Sequence, residues 1–234
     1  IMALRLGTTL SAPFFLQQAL ANEEGSDGMI RTTVKDFAAR SLARSHACAI
    51  PYIMASKMPK PPMTEQGSGE ETCEIDLSRA LVFNHEKCKI IEGEYAELLA
   101  LFASRDLVGT INYTSQDGGS MEFKTLGKRV RIKADGMRIF ADIQLSVDLS
   151  DVQHVNADNV LSSADDIVKE YANKLAKQFE KQLLELFETS KQCGIDFLNL
   201  QDKAYQSVGR TLPENCLTDL QFSAKVTIKV QETA

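Results

Sequence analysis

Residues 163–194, SADDIVKEYANKLAKQFEKQLLELFETSKQCG, and residues 222–230, FSAKVTIKV, show two different hydrophobic periods, and their pairing sets the fold. In the first stretch Ala164, Ile167, Val168, Tyr171, Ala172, Leu175, Phe179, Leu183, Leu186 and Phe187 recur at steps of three and four. That spacing draws one apolar stripe along a helix. In the second, Phe222, Ala224, Val226, Ile228 and Val230 alternate with Ser223, Lys225, Thr227 and Lys229, which describes a strand wet on one face. A helix stripe and a one-sided sheet each need cover, and the economical packing is that they cover each other. Neither stretch holds reactive groups at catalytic spacing. The pair points to an interaction module rather than an enzyme.

Working outward, Ser163 with Asp166 three residues on forms a capping-box pattern, and Asp165 and Asp166 suit the positive end of the helix dipole. Lys191 and Gly194 mark the end of the helix. A shorter helix is predicted over Ile195–Val208, with Phe197, Leu198, Ala204 and Tyr205 facing inward and Pro213 beyond it. Upstream, strands are predicted at Val108–Thr114, at Met121–Thr125 and around Val130 and Ile132. Asp135-Gly136 signals a two-residue hairpin turn, read as one in which both positions take positive φ. Met137 to Leu149 then keeps a period of two for thirteen residues, long enough that a bulge is expected. The predicted order, β-β-β-β-α-α-β, is an α+β domain: an antiparallel or mixed sheet with a long amphipathic helix packed on one face, beside a smaller α/β domain.

That smaller domain is expected over residues 1–107, with the carboxyl-terminal α+β domain over 108–234. Pro13–Asn22 reads as a short helix. A second helix starts at Thr32 or Thr33, with Val34, Phe37, Ala38, Ser41 and Leu42 on its inner face, and ends before Ile50-Pro51. Residues 57–71 hold Pro59, Pro61, Pro62, Gly67 and Gly69 among polar residues, the composition of an exposed loop. Cys73–Phe83 and Cys88–Ile91 read as a hairpin turned at Asn84–Lys87, and Glu94–Ser104 as a helix with Tyr95, Leu98, Leu99 and Phe102 on one side.

The composition, 44% hydrophobic and 25% charged over 234 residues, is that of a globular protein able to bury a core. A net charge of −6 argues against general nucleic-acid binding. The local basic run Lys128, Arg129, Arg131 and Lys133 alternates with Val130 and Ile132. It reads first as the solvated face of a strand, and it is also the candidate surface for docking a partner or lipid headgroups. Five cysteines, with no CxxC pair, read as mostly free thiols. Cys73, His85 and Cys88 lack a fourth ligand at zinc spacing. His46 falls at a helix end. His154 lies among Asp148, Asp151 and Asp158 without a calcium-loop glycine. Phosphate-loop, dinucleotide, HExxH and GxSxG motifs are absent, so no catalytic, cofactor or metal residue is assigned. Asn112-Tyr113-Thr114 matches a glycosylation sequon within an expected strand. No apolar run reaches the ~20 residues a spanning helix needs. Met2–Ala21 mimics a signal peptide, but Gln17 and Gln18 interrupt it and Arg5 is its sole cation.

Three stretches resemble the C subunit of bacterial spore nutrient germinant receptors, the Ger(x)C family. They are Ala80-Leu81-Val82-Phe83 through Lys87 and Ile90 to Leu101, the paired strands of Val130–Val147, and Leu183–Tyr205 with its Cys193-Gly194-Ile195-Asp196-Phe197-Leu198 junction. Val34-Lys35-Asp36-Phe37 to Ile50-Pro51-Tyr52-Ile53 extends the likeness upstream. The chain departs from the family where a Trp precedes the closing strand (here Leu220 or Phe222) and where a Glu follows the long strand (here Ser150-Asp151). The family's amino-terminal domain and lipid-bearing cysteine are not among these residues. The resemblance implies a non-enzymatic, extracytoplasmic lipoprotein at the spore inner membrane, its anchor outside this stretch. It would work with membrane-embedded A and B subunits in nutrient-triggered germination. A different class, an extracytoplasmic small-ligand-binding lipoprotein, stays open, with a hydrolase of unorthodox site behind it. A pocket crossing the two domains would favour ligand binding.

Overall fold

The computed structural model describes residues 30, 32–57, 73–103, 109–114, 120–153, 164–208, 212–213 and 216–231. The expected helix at Pro13–Asn22, the loop expected at 57–71 apart from Lys57, the cap at Ser163 and His154 lie outside them.

The described chain begins with a short helix, α1 (Val34–Ser41), whose amino-terminal cap is Thr33. The Thr33 hydroxyl oxygen accepts the Asp36 N–H, and the Asp36 carboxylate accepts from Thr33, a reciprocal capping box. The helix lies where its pattern predicts, but its expected inner face is not buried. Val34 and Leu42 are 87% and 85% exposed, and no residue of α1 is buried. A second departure follows at once. Cys48–Lys57 is a strand, β1, that the sequence pattern does not signal. Pro51 sits within it opposite Ala80. Because β1 is the edge of its sheet, the missing proline N–H is tolerated there.

β1 pairs antiparallel with β2 (Cys73–Phe83), and β2 with β3 (Cys88–Ile91), giving a three-stranded sheet. The expected β2–β3 hairpin is present, its turn held by the Asn84 carboxamide oxygen accepting the Glu86 and Lys87 N–H groups. Helix α2 (Glu94–Ala103) buries Leu98, Leu99 and Phe102, while Tyr95 stays partly exposed.

The second sheet runs β4 (Gly109–Thr114), β5 (Ser120–Asp135), β6 (Arg138–Gln153) and β7 (Gln221–Val230) in that order. β4–β5–β6 are antiparallel and β7 is parallel to β6, so the sheet is mixed. The parallel step is made by the crossover β6–α3–α4–β7, with α3 at Ala164–Cys193 and α4 at Leu200–Val208. Two expected strands, Met121–Thr125 and the Val130–Ile132 segment, are one. An extra residue, Leu126, bulges between the Thr125–Val147 and Gly127–Ser146 pairs. The bulge expected in the long strand falls just past the alternating stretch, at Ser150 between Leu149 and Asp151 of β6. The hairpin turn also differs in kind. Asp135 pairs with Arg138, so the loop is Gly136-Met137 with positive φ at Gly136 alone, the Gly-first pattern of a type II′ turn.

Ile139, Ala141, Ile143, Leu145 and Val147 point to one side of β6 and are fully buried. Their register partners on β7 are Phe222, Ala224, Val226, Ile228 and Val230. α3 lays Leu175, Leu183, Leu186 and Phe187 into the same core, so stripe and alternation do cover each other. Residues of α2 and of the first sheet join that cluster.

The junction between α3 and α4 is built around a buried carboxylate. Gly194 ends α3 in the left-handed region. Asp196, 1% exposed, then accepts the N–H groups of Leu200 and Gln201 and so caps α4. Burial pushes the Asp196 pKa up to about 6 despite those donors. Phe197, Leu198, Ala204 and Tyr205 are buried. The helix expected over Ile195–Val208 begins only at Leu200, however, so Phe197 and Leu198 are buried by the turn around Asp196 rather than by helical spacing.

Candidate docking surface

β5 carries the basic run, and the Leu126 bulge sets which way each cation points. Because one inserted residue inverts the alternation, Met121, Phe123 and Thr125 face the core before it and Lys128, Val130, Ile132 and Ala134 after it. Lys128 is therefore on the inner side. Its ammonium donates to the Leu101 carbonyl near the end of α2, a favourable place for a cation. Arg129, Arg131 and Lys133 lie on the opposite, solvent-facing side and are all exposed. Of the four candidate residues the structure brings three together on an open face. It uses the fourth to tie α2 to the second sheet.

Helix α3 shows a similar sorting. Lys174 pairs with Glu170 and Lys181 with Glu185 along its solvent side. Glu180 of the same helix instead turns to β7 and accepts the Val226 N–H at 2.8 Å. β7 ends the sheet, so this carboxylate covers part of an otherwise open strand edge.

A cavity of about 330 Å³ lies between α2, β4 and α3. Leu98, Leu101, Leu175 and Phe179 line it, with Glu94, Gln182 and Thr125 as polar walls. Gln182 donates its amide N–H to Glu94, and the buried Thr125 hydroxyl has no partner among the described residues. Nearby, the Tyr95 hydroxyl donates to Glu185 at 2.6 Å. That bond raises the Tyr95 pKa and lowers that of Glu185. These contacts join α2 to α3 across the expected domain boundary. The sequence carries no signal for them, since each bond joins residues about ninety positions apart.

The two described histidines, His46 and His85, pack on each other with ring centroids 4.3 Å apart. His46 has positive φ, and its Nδ1 lies 2.8 Å from the Ser41 carbonyl. Cys88 is exposed, and among the described residues no three His, Cys, Asp or Glu side chains group as a metal site. Asn112 of the sequon is exposed on β4, opposite Glu122. Among the described residues no helix is long and apolar enough to cross a membrane.

The family model "Spore germination B3/GerAC like, C-terminal" matches residues 78–234, more than half of the chain. The chain belongs to this spore-germination family. The crystal structure of the GerBC protein has the same fold: TM-score 0.61 at 11% identity, over 87% of this chain. The chain spans 62% of the length of that structure. No curated protein matches the chain by sequence. In this GerAC-like chain the matched region begins inside β2. It therefore takes in the β2–β3 hairpin, α2 and the whole second sheet with its helices.

Proposed function

We propose that this GerAC-like chain acts as the C subunit of a spore germinant receptor, a non-catalytic extracytoplasmic component at the spore inner membrane. It would assemble with membrane-embedded A and B subunits and be held by a lipid anchor outside the present residues. The observation that carries this reading is the family match over residues 78–234. The architecture is compatible with it: one hydrophobic core shared by both sheets, under a sheet face open to solvent. The chain would divide into a unit at 1–107 and a unit at 108–234, the second presenting Arg129, Arg131 and Lys133, with Lys128 behind them.

The test is complementation. Spores lacking the gene and supplied with the wild-type copy should regain nutrient-triggered germination and retain the A and B subunits in their membranes. Spores germinating normally without any copy would refute the proposal.

The seam cavity supports a second reading, a lipoprotein that binds a small ligand between its two parts. Filling the cavity, for example by Leu175→Trp with the fold retained, should abolish function under this reading. It should spare function if the chain only assembles.

A further inference from the structure

The open face of the second sheet is divided by charge, and strand register shows where. Arg129, Arg131 and Lys133 of β5 lie opposite Gln144, Asp142 and Phe140 of β6. These in turn lie opposite Thr227, Lys225 and Ser223 of β7, with Lys229 two residues beyond Thr227. Arg138 completes the end nearest the β5–β6 turn. All six cations are exposed, and the carboxylates among them are Asp135 and Asp142. At the other end of the same face Lys124 stands among Glu122, Asp148 and Asp151. A chain of net charge −6 thus gathers cations on one half of one face.

Three strands about 4.8 Å apart, with two residues per ~6.8 Å along each, make this half-face a nearly flat patch. From Arg138 to the level of Ser146, where Lys229 lies, it measures roughly 10 by 27 Å. Phe140, 39% exposed, stands in its middle, beside a shallow groove edged by Lys133, Arg138 and Phe222.

We infer that this half-face docks on an anionic phospholipid surface, the cations meeting headgroup phosphates and Phe140 entering the interfacial layer. A specific protein interface of standard size buries about 800 Å² per partner around an apolar centre. Here Phe140 stands on an open cationic field, and the groove beside it is shallow, without the enclosed apolar centre of such an interface. A headgroup layer needs neither recess nor matching shape. The inference rests on the proposed membrane-side role for its setting, but the binding itself is measurable without it.

The experiment is co-sedimentation of the purified chain with phosphatidylcholine vesicles, with and without phosphatidylglycerol. Binding should require phosphatidylglycerol and weaken as salt is raised. Each cation beside an anionic leaflet contributes roughly fivefold in partitioning, so R129E/R131E should lose at least about tenfold. Asp142→Asn removes the central carboxylate and should strengthen binding severalfold. Phe140→Ser should weaken it, while Lys124→Glu at the acidic end should change it by less than about twofold.

Equal binding to neutral vesicles would overturn the inference, as would a folded R129E/R131E variant that binds normally. Absence of vesicle binding together with capture of an acidic peptide would overturn it in favour of a protein partner. Should the double variant fail to fold, the opposite signs expected for Asp142→Asn and Phe140→Ser decide. Normal vesicle binding by a chain that fails to complement germination would leave this inference standing and defeat the proposed function. Complementation without vesicle binding would do the reverse.

Discussion

Helix α1 beside the first sheet and helix α3 over the second carry similar apolar stripes and end up very differently buried. In the second sheet every inward residue from Ile139 to Val147 is sealed beneath α3, and the alternation of β6 and β7 coincides with the burial. Around the first sheet, α1 has as clear a capping box as a helix can carry, yet it buries nothing. β3 buries only Ile91. An apolar period reports that an element would gain by being covered, whereas burial requires a second element that reaches it. The crossover through α3 supplies that element to the second sheet.

The largest expected effect separates the two regions directly. Leu183→Ala, fully buried where α3 meets the sheet, should cost about 2–5 kcal/mol in denaturant unfolding. Leu42→Ala should stay within about 0.5 kcal/mol, since its side chain is exposed. Comparable losses would mean that α1 is covered in solution and would erase the contrast.

The next effect concerns the buried junction of the second region. Asp196 titrates at about 6 when folded and at the ordinary carboxyl value of 3.8 when unfolded, so between these values the folded chain holds the extra proton. Stability therefore falls as pH rises through that window. The ionised carboxylate costs roughly 3 kcal/mol above pH 6, and that cost vanishes below about pH 4. Unfolding midpoints should rise as pH drops from 7.5 to 5, and Asp196→Asn should remove that rise. An identical pH profile in both proteins would show that the carboxylate is not desolvated.

A smaller effect tests the tie between the regions. Lys128→Met removes the donor to the Leu101 carbonyl and should cost about 1–2 kcal/mol. Arg131→Met on the open face should cost less than about 0.5 kcal/mol. Hydrogen exchange should show the last turn of α2 opening in the first variant alone.

The smallest effect concerns a strand edge. Glu180→Gln keeps an acceptor for the Val226 N–H but loses its charge, and should cost about 0.5–1 kcal/mol. Glu180→Ala should cost more and raise the tendency of β7 to associate edge to edge, readable by light scattering.

Local chemistry alone specifies the long helix, the closing strand, the β2–β3 hairpin and the inward pair Ala204 and Tyr205. Periodicity, caps and turn residues act within a few positions, so these elements are legible in the order of residues alone. The same holds for the absence of catalytic spacing. Four features are not legible there: β1 with its Pro51, the fusion of two expected strands into β5, the inward turn of Lys128, and the recruitment of Glu180 to a strand edge. Each depends on a partner remote in sequence. Whether Pro51 is tolerated depends on β1 being an edge, and the side taken by Lys128 depends on one bulged residue that inverts the alternation. Glu180 meets Val226 across forty-six positions because the crossover returns β7 beneath α3. Side-chain patterns state what each element needs, and only packing in three dimensions assigns the group that satisfies it.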